Sequence, residues 1–245
     1  MLSFARYMDA ISDEASRFLE VAAVAQPFAI PTCPGWTSID LEHHLASCFR
    51  YWSLQVVAGD PESEVHETIA LHSEAIDSGF ELALDRLLGD LTSAGETASC
   101  WNWSDTDFDV LWVARHMAIT TAIHRVDVEL ARSLPASIDS ELAIDGLDET
   151  FSVQFRNLLP KSVLSTMVGS LCLISSDVDA AWSISVERGK IRLRNKRGPA
   201  SVALVGSASD LLQFVRNRVD LDQFSVTGDV AVAKSWQTLS DTLPR

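Results

Sequence analysis

The feature that most constrains this chain is a change of hydrophobic period near Pro160. Before it, apolar residues recur every three or four positions, as amphipathic helices require; after it, β-branched residues alternate in short runs punctuated by turn residues. Phe4, Met8, Ile11, Ala15, Phe18 and Ala22 predict a first helix that ends before the Pro27 to Pro34 stretch. Thr37 followed by Asp40 is a capping-box-like start for a second, with Leu41, Leu45, Cys48 and Trp52 inward. A third is expected over roughly 64 to 90, carrying Ile69, Ile76, Phe80, Leu84 and Leu87. The tryptophan-rich CWNWSD loop follows it. A fourth runs from about Phe108 to Arg132, and a fifth from about Ser140 to Leu158, closed by Pro160.

Beyond Pro160, VLSTMVGSLCLIS, AWSISVER, KIRLRNK and SVALVG read as strands, the second and third joined at Gly189. Two short helices, SASDLLQFVRNR and VAVAKSWQTL, flank a short strand near Phe224 to Val226. The expected fold class is α+β: an antiparallel helical bundle over 1–160 and a small α/β domain over 161–245.

With 47% hydrophobic residues over 245 positions, the chain can bury a core in each domain. A formal net charge of −15 repels phosphate backbones and anionic lipid, which argues against nucleic-acid and membrane-surface roles. No apolar run is long enough to span a bilayer, and the acidic N-terminal segment does not resemble a signal peptide, so a cytoplasmic protein is expected, as a monomer. The four cysteines, Cys33, Cys48, Cys100 and Cys172, form no CxxC pair and are expected to be reduced thiols.

Polar residues on apolar helices suggest a pocket. His44 falls in the arc of Leu41, Leu45 and Cys48, so its ring should face the bundle interior. On the fourth helix His116, Thr120, His124 and Asp127 follow at steps of four, four and three, along one stripe. Bundle proteins build metal sites from facing helices, so His44 with His124 is a candidate metal pair; a solvated helix face is the alternative.

The segment P31-T-C-P-G-W-T-S-I-D-L-E-H-H-L45 and the segment R115-H-M-A-I-T-T-A-I-H-R-V-D-V-E-L-A131 resemble two motifs of the mycothiol-dependent maleylpyruvate isomerase family, whose bundle is DinB-like. A143-I-D-G-L-D-E149, the Ser176-Asp177 turn before Trp182, V205-G-S-A-S-D-L-L212 and V226-T-G-D229 agree with it as well, so the resemblance spans nearly the whole chain. It implies a divalent metal, usually zinc, held by a His/Glu/His triad, with mycothiol supplying the reacting thiol. The triad's histidines correspond to His44 and His124, but the glutamate position is Thr120.

A catalytic zinc site takes three protein ligands, so two histidines alone would hold metal poorly. His116 lies about 12 Å along the axis from His124, too far to share one ion, and His43 is about 100° round the helix from His44. Asp127, one turn from His124, is the expected replacement, with Asp145, Asp148 or Glu149 as further candidates. Arg218 matches a family arginine and is the candidate carboxylate clamp. Cys33 is expected to be structural, and the alternating Lys190, Arg192, Arg194 and Lys196 to form a solvated strand face. Trp101 and Trp103 either line a pocket mouth or simply pack.

The expected function is a thiol-dependent isomerase or S-transferase acting on a small organic substrate between the two domains. One alternative is a metal-independent isomerase or cyclase in which His124 and Asp127 perform acid–base chemistry. The other is a non-catalytic binding or regulatory protein.

Overall fold

A computed structural model of the chain describes residues 1–65 and 79–243. Two compact units emerge, Met1–Ala136 and Ser137–Arg245.

The first unit contains four helices among its described residues: α1 (Phe4–Ala22), α2 (Ser38–Ala58), α3 (Phe80–Ala94) and α4 (Val110–Ala131). Helix α1 lies along α4, α2 lies along α3, and α2 also touches α4. Of the predicted α1 stripe, Ile11, Ala15 and Phe18 are fully buried, together with Tyr7, whereas Phe4, Met8 and Ala22 are half-buried. Helix α4 is buried nearly all round, which is why so many of its polar side chains must find partners inside the protein. The third helix starts later than expected within the described residues and runs on to Ala94. Ile69 and Ile76, assigned to its first turns, lie outside the described residues.

Helix α2 begins where the capping pattern predicted. Asp40 accepts hydrogen bonds from the Thr37 hydroxyl (2.6 Å) and backbone N–H (2.8 Å), and the Thr37 hydroxyl in turn accepts from the Asp40 N–H. These bonds hold the Asp40 carboxyl below its ordinary value of 3.8. A depressed carboxyl adds stability that is fully present above the unfolded value and is lost as pH falls through the folded one. Thr37→Ala should therefore cost about 1 kcal/mol at neutral pH. In urea unfolding, the gap to the parent protein should narrow below pH 3.8; a gap independent of pH would mean the Asp40 charge plays no part.

The second unit holds a five-stranded sheet of β1 (Leu171–Ser175), β2 (Ala181–Glu187), β3 (Lys190–Arg194), β4 (Val202–Gly206) and β5 (Ser225–Gly228). The order is β3-β2-β1-β4-β5; β1 and β4 are parallel and the other neighbours antiparallel. Arg188 (φ 53°) and Gly189 (φ 69°) make the two-residue turn from β2 to β3, which needs left-handed backbone at both positions. The exposed basic side chains of Lys190, Arg192 and Arg194 lie on the edge strand, where charge discourages pairing with another sheet.

The stretch expected as one strand before Ser175 is divided: Lys161–Leu164 is a short helix, α6, and only Leu171–Ser175 is strand. Helices α7 (Ala208–Val215) and α8 (Val230–Gln237) pack on the sheet.

Packing divides the chain at 136/137, ahead of the boundary expected near 160. The predicted fifth helix is present as α5 (Ser140–Glu149) continued by a π-helical segment, Thr150–Leu158. It packs on α7 and β3. Trp182 Nε1 donates to Asp148 (2.6 Å), the Ile138 N–H donates to the Ser209 hydroxyl (2.9 Å), and Phe151 meets Trp236 with ring centroids 6.4 Å apart. An apolar stripe records that a helix face is buried, not which element buries it.

Candidate functional site

The site lies in the first unit, where α2 faces α4. The PTCPGW segment before α2 folds into a tight turn: Cys33 N–H donates to Ile30 O (3.0 Å), Trp36 N–H to Cys33 O (3.0 Å), and Ile30 N–H to Trp36 O (2.9 Å). Gly35 sits at φ 85°, a conformation that glycine adopts without strain. This turn delivers Thr32 and Cys33 to the fully buried carboxylate of Asp127. The Thr32 hydroxyl donates to Oδ1 at 2.6 Å, and the Cys33 thiol approaches Oδ2 at 3.7 Å. His124 Nδ1 lies 2.9 Å from the same Oδ2.

The His124 ring meets His44 edge-to-face, with centroids 5.1 Å apart, and Trp36 also meets His44, at 5.0 Å. One turn along α2, Cys48 Sγ lies 3.6 Å from His44 Nε2. Burial pushes the Cys48 thiol up to about 12, so the sulfur is protonated at neutral pH.

Opposing layers repeat along the two helices. Eight residues beyond His44 on α2, Trp52 meets His116, which stands eight residues before His124 on α4, at 5.4 Å. The helices are therefore antiparallel here, with Cys48 and Thr120 between the two layers. His116 is stacked on Trp112 (5.0 Å, 9°) and enclosed by Trp103 (5.1 Å) as well as Trp52. Its Nε2 is 3.5 Å from the Thr120 hydroxyl. Trp103 thus packs within an aromatic cluster; both it and Trp101 are half-buried.

The residues singled out from sequence divide in two. His44, His124, Asp127 and Thr120 all stand on the facing sides of α2 and α4. His43 is exposed. Arg218 follows α7 in the second unit, where its guanidinium donates to the carbonyl oxygen of Arg216. Asp148 accepts from Trp182 and Asn195, and Glu149 accepts from Gln154 (2.9 Å), all within that second unit. Thr32 and Cys48 were not singled out for the site from sequence. A turn residue ahead of a helix carries no directional signal, but the four-residue step from His44 to Cys48 was a readable one.

Among the described residues Cys33, His124 and Asp127 have potential ligand atoms within 4.8 Å of one another. Those atoms belong to the hydrogen-bonded cluster around Asp127. With Asp127 on Nδ1, the imidazole nitrogen of His124 suited to an ion is Nε2, an arrangement familiar from carboxylate–histidine–metal relays. Imidazole, thiol and carboxylate are all donor types that suit zinc.

Among the described residues, no helix is long and apolar enough to cross a membrane. The sequence matches the family described as mycothiol maleylpyruvate isomerase N-terminal domain over residues 8–129. No curated protein matches it. Among solved structures, the fold is similar to the crystal structure of the mycothiol-dependent maleylpyruvate isomerase, with a TM-score of 0.62, 14% identity, and coverage of 92% of this chain and 93% of that one. A point mutant of that isomerase matches equally, with a TM-score of 0.61 at 14% identity over the same shares of the two chains. Through residues 8–129 the chain belongs to the mycothiol maleylpyruvate isomerase N-terminal domain family, and along nearly its whole length it has the α+β fold of the mycothiol-dependent isomerase.

Proposed function

We propose that this protein is a metal- and thiol-dependent enzyme, an isomerase or S-transferase that acts on a small electrophilic organic substrate. The observation that carries this reading is the pair of facing imidazoles, His44 and His124, with His124 held from behind by a fully buried carboxylate. His44 and His124 would supply two donors to a divalent ion. When bound, the ion stabilises thiolate over thiol, which makes a small thiol such as mycothiol a nucleophile toward an activated double bond or another electrophile.

The chain's own residues prepare the site. Asp127 selects the ring orientation of His124, and Thr32 and Cys33 hold Asp127 in place. Trp36 packs against His44. Arg218 remains the candidate to bind a substrate carboxylate. Protein purified without chelator should contain about one zinc per chain. It should convert an unsaturated organic acid only when mycothiol is supplied; full turnover without metal and thiol would overturn this reading.

A second reading rests on the 2.9 Å contact between His124 and Asp127 together with Thr120 in place of a carboxylate. Here Asp127 fixes the tautomer and His124 Nε2 accepts and returns a substrate proton, with no metal required. Turnover that survives exhaustive chelation but disappears in His124→Ala would select it.

A further inference from the structure

We propose that Thr32 is a positioning residue for His124: its hydroxyl fixes the rotation of the Asp127 carboxylate, and through that carboxylate the proton on the imidazole, so that Nε2 is left as the acceptor. This role rests on His124 being a working group, which both functional readings above share.

The last torsion of an aspartate side chain joins an sp³ carbon to an sp² one and has broad, shallow wells, so an outside contact must fix the plane of the carboxylate. Thr32 makes such a contact with Oδ1 at 2.6 Å, the length of a charge-assisted O–H···O⁻ hydrogen bond. With Oδ1 held there, Oδ2 is turned toward His124 Nδ1 at 2.9 Å. A carboxylate only accepts, so the ring proton sits on Nδ1 and the lone pair on Nε2. The Cys33 thiol is a weak donor, and at 3.7 Å it shares Oδ2 with His124 rather than anchoring Oδ1.

Thr32 can act in this way because the chain holds it from the α2 side. It lies inside the turn closed by the Ile30 N–H donating to Trp36 O (2.9 Å), and that turn runs directly into the Thr37 cap of α2. Trp36, from the same turn, meets His44 with ring centroids 5.0 Å apart. One short segment therefore touches both rings, His44 directly and His124 through Asp127. The Thr32 bond spans 95 residues of sequence and ties the buried carboxylate of α4 to the start of α2.

Thr32→Val keeps the branched shape of the side chain and removes the hydroxyl; Thr32→Ser restores the hydroxyl on a smaller side chain. Long-range ¹H–¹⁵N correlation spectra of the full-length protein, labelled at histidine nitrogen, chelated, and held at a pH where histidine is neutral, read the tautomer of His124, with His124→Gln for assignment. Zinc titration of the same proteins reads affinity, and circular dichroism establishes folding. The parent and Thr32→Ser should carry the proton on Nδ1. Thr32→Val should populate the Nε2–H tautomer and bind zinc about 10-fold more weakly, the lower end of the outer-shell range because Thr32 acts through Asp127. A purely structural role would lower the thermal midpoint and leave the tautomer unchanged.

A parent protein with the proton on His124 Nε2 would overturn this role without any variant. So would Thr32→Val with the tautomer and zinc affinity of the parent, or a change that Thr32→Ser fails to reverse. A parent that binds no zinc, while Thr32→Val still shifts the tautomer, would overturn the metal-dependent reading and support the positioning role.

Discussion

His124→Ala should lower turnover by at least about 100-fold, since even an outer-shell partner of a metal ligand is worth 10–100-fold. The substitution removes a ring that joins the Asp127 cluster to His44. It also takes a polar partner from a carboxylate with no solvent exposure, so a stability loss of about 1–3 kcal/mol should accompany it. Asp127→Asn separates the two consequences. It preserves side-chain volume and leaves both histidines, so metal affinity or turnover should fall about 10–100-fold through misorientation of His124. Metal titration and steady-state kinetics on both variants, each first shown to be folded, test this. Full metal content and turnover in His124→Ala would remove that residue from the site. Both functional readings require the loss, and they separate only when the parent protein is chelated.

Glu129→Ala should be the most destabilising single change among the charged residues of the helical unit, at about 3 kcal/mol or more. Glu129 is 4% exposed and receives Arg17 Nε at 2.9 Å and Arg125 Nη1 at 2.5 Å, while Arg125 Nε reaches Glu14 at 2.6 Å. The network ties α1 to α4 and lies one turn or less from His124 and Asp127. Alanine would leave Arg125, itself 6% exposed, with half of its compensation. The thermal midpoint should fall by roughly 10 °C. Glu129→Gln, which keeps acceptor geometry on one oxygen, should fall by less. An unchanged midpoint for the alanine variant would mean that the network stores little net stability, as happens when desolvation cancels ion pairing.

The helices were legible because their signals are local. The stripe on α1, the Thr37 and Asp40 cap and the Gly189 turn each depend on residues within one or two turns of chain. The split of the predicted first strand into α6 and β1 was less legible, because β-branched residues occur in both and short apolar runs have no decisive period. The fifth helix was recognised but placed with the wrong neighbours, since its stripe is equally compatible with a helical or a sheet partner.

Sequence alone determined that helices precede a sheet, that His44 would face inward, and that His124 and Asp127 share one face of α4, because helix periodicity places residues three and four apart side by side. Only the tertiary structure decided that α2 and α4 run antiparallel with His44 opposite His124. It also decided that Thr32 and Cys33 close around Asp127, 95 and 94 residues away along the chain, and that Cys48 stands beside His44 Nε2. Periodicity gives the direction of a side chain from its own helix axis; what meets it there depends on how distant segments pack, and no local pattern encodes that pairing.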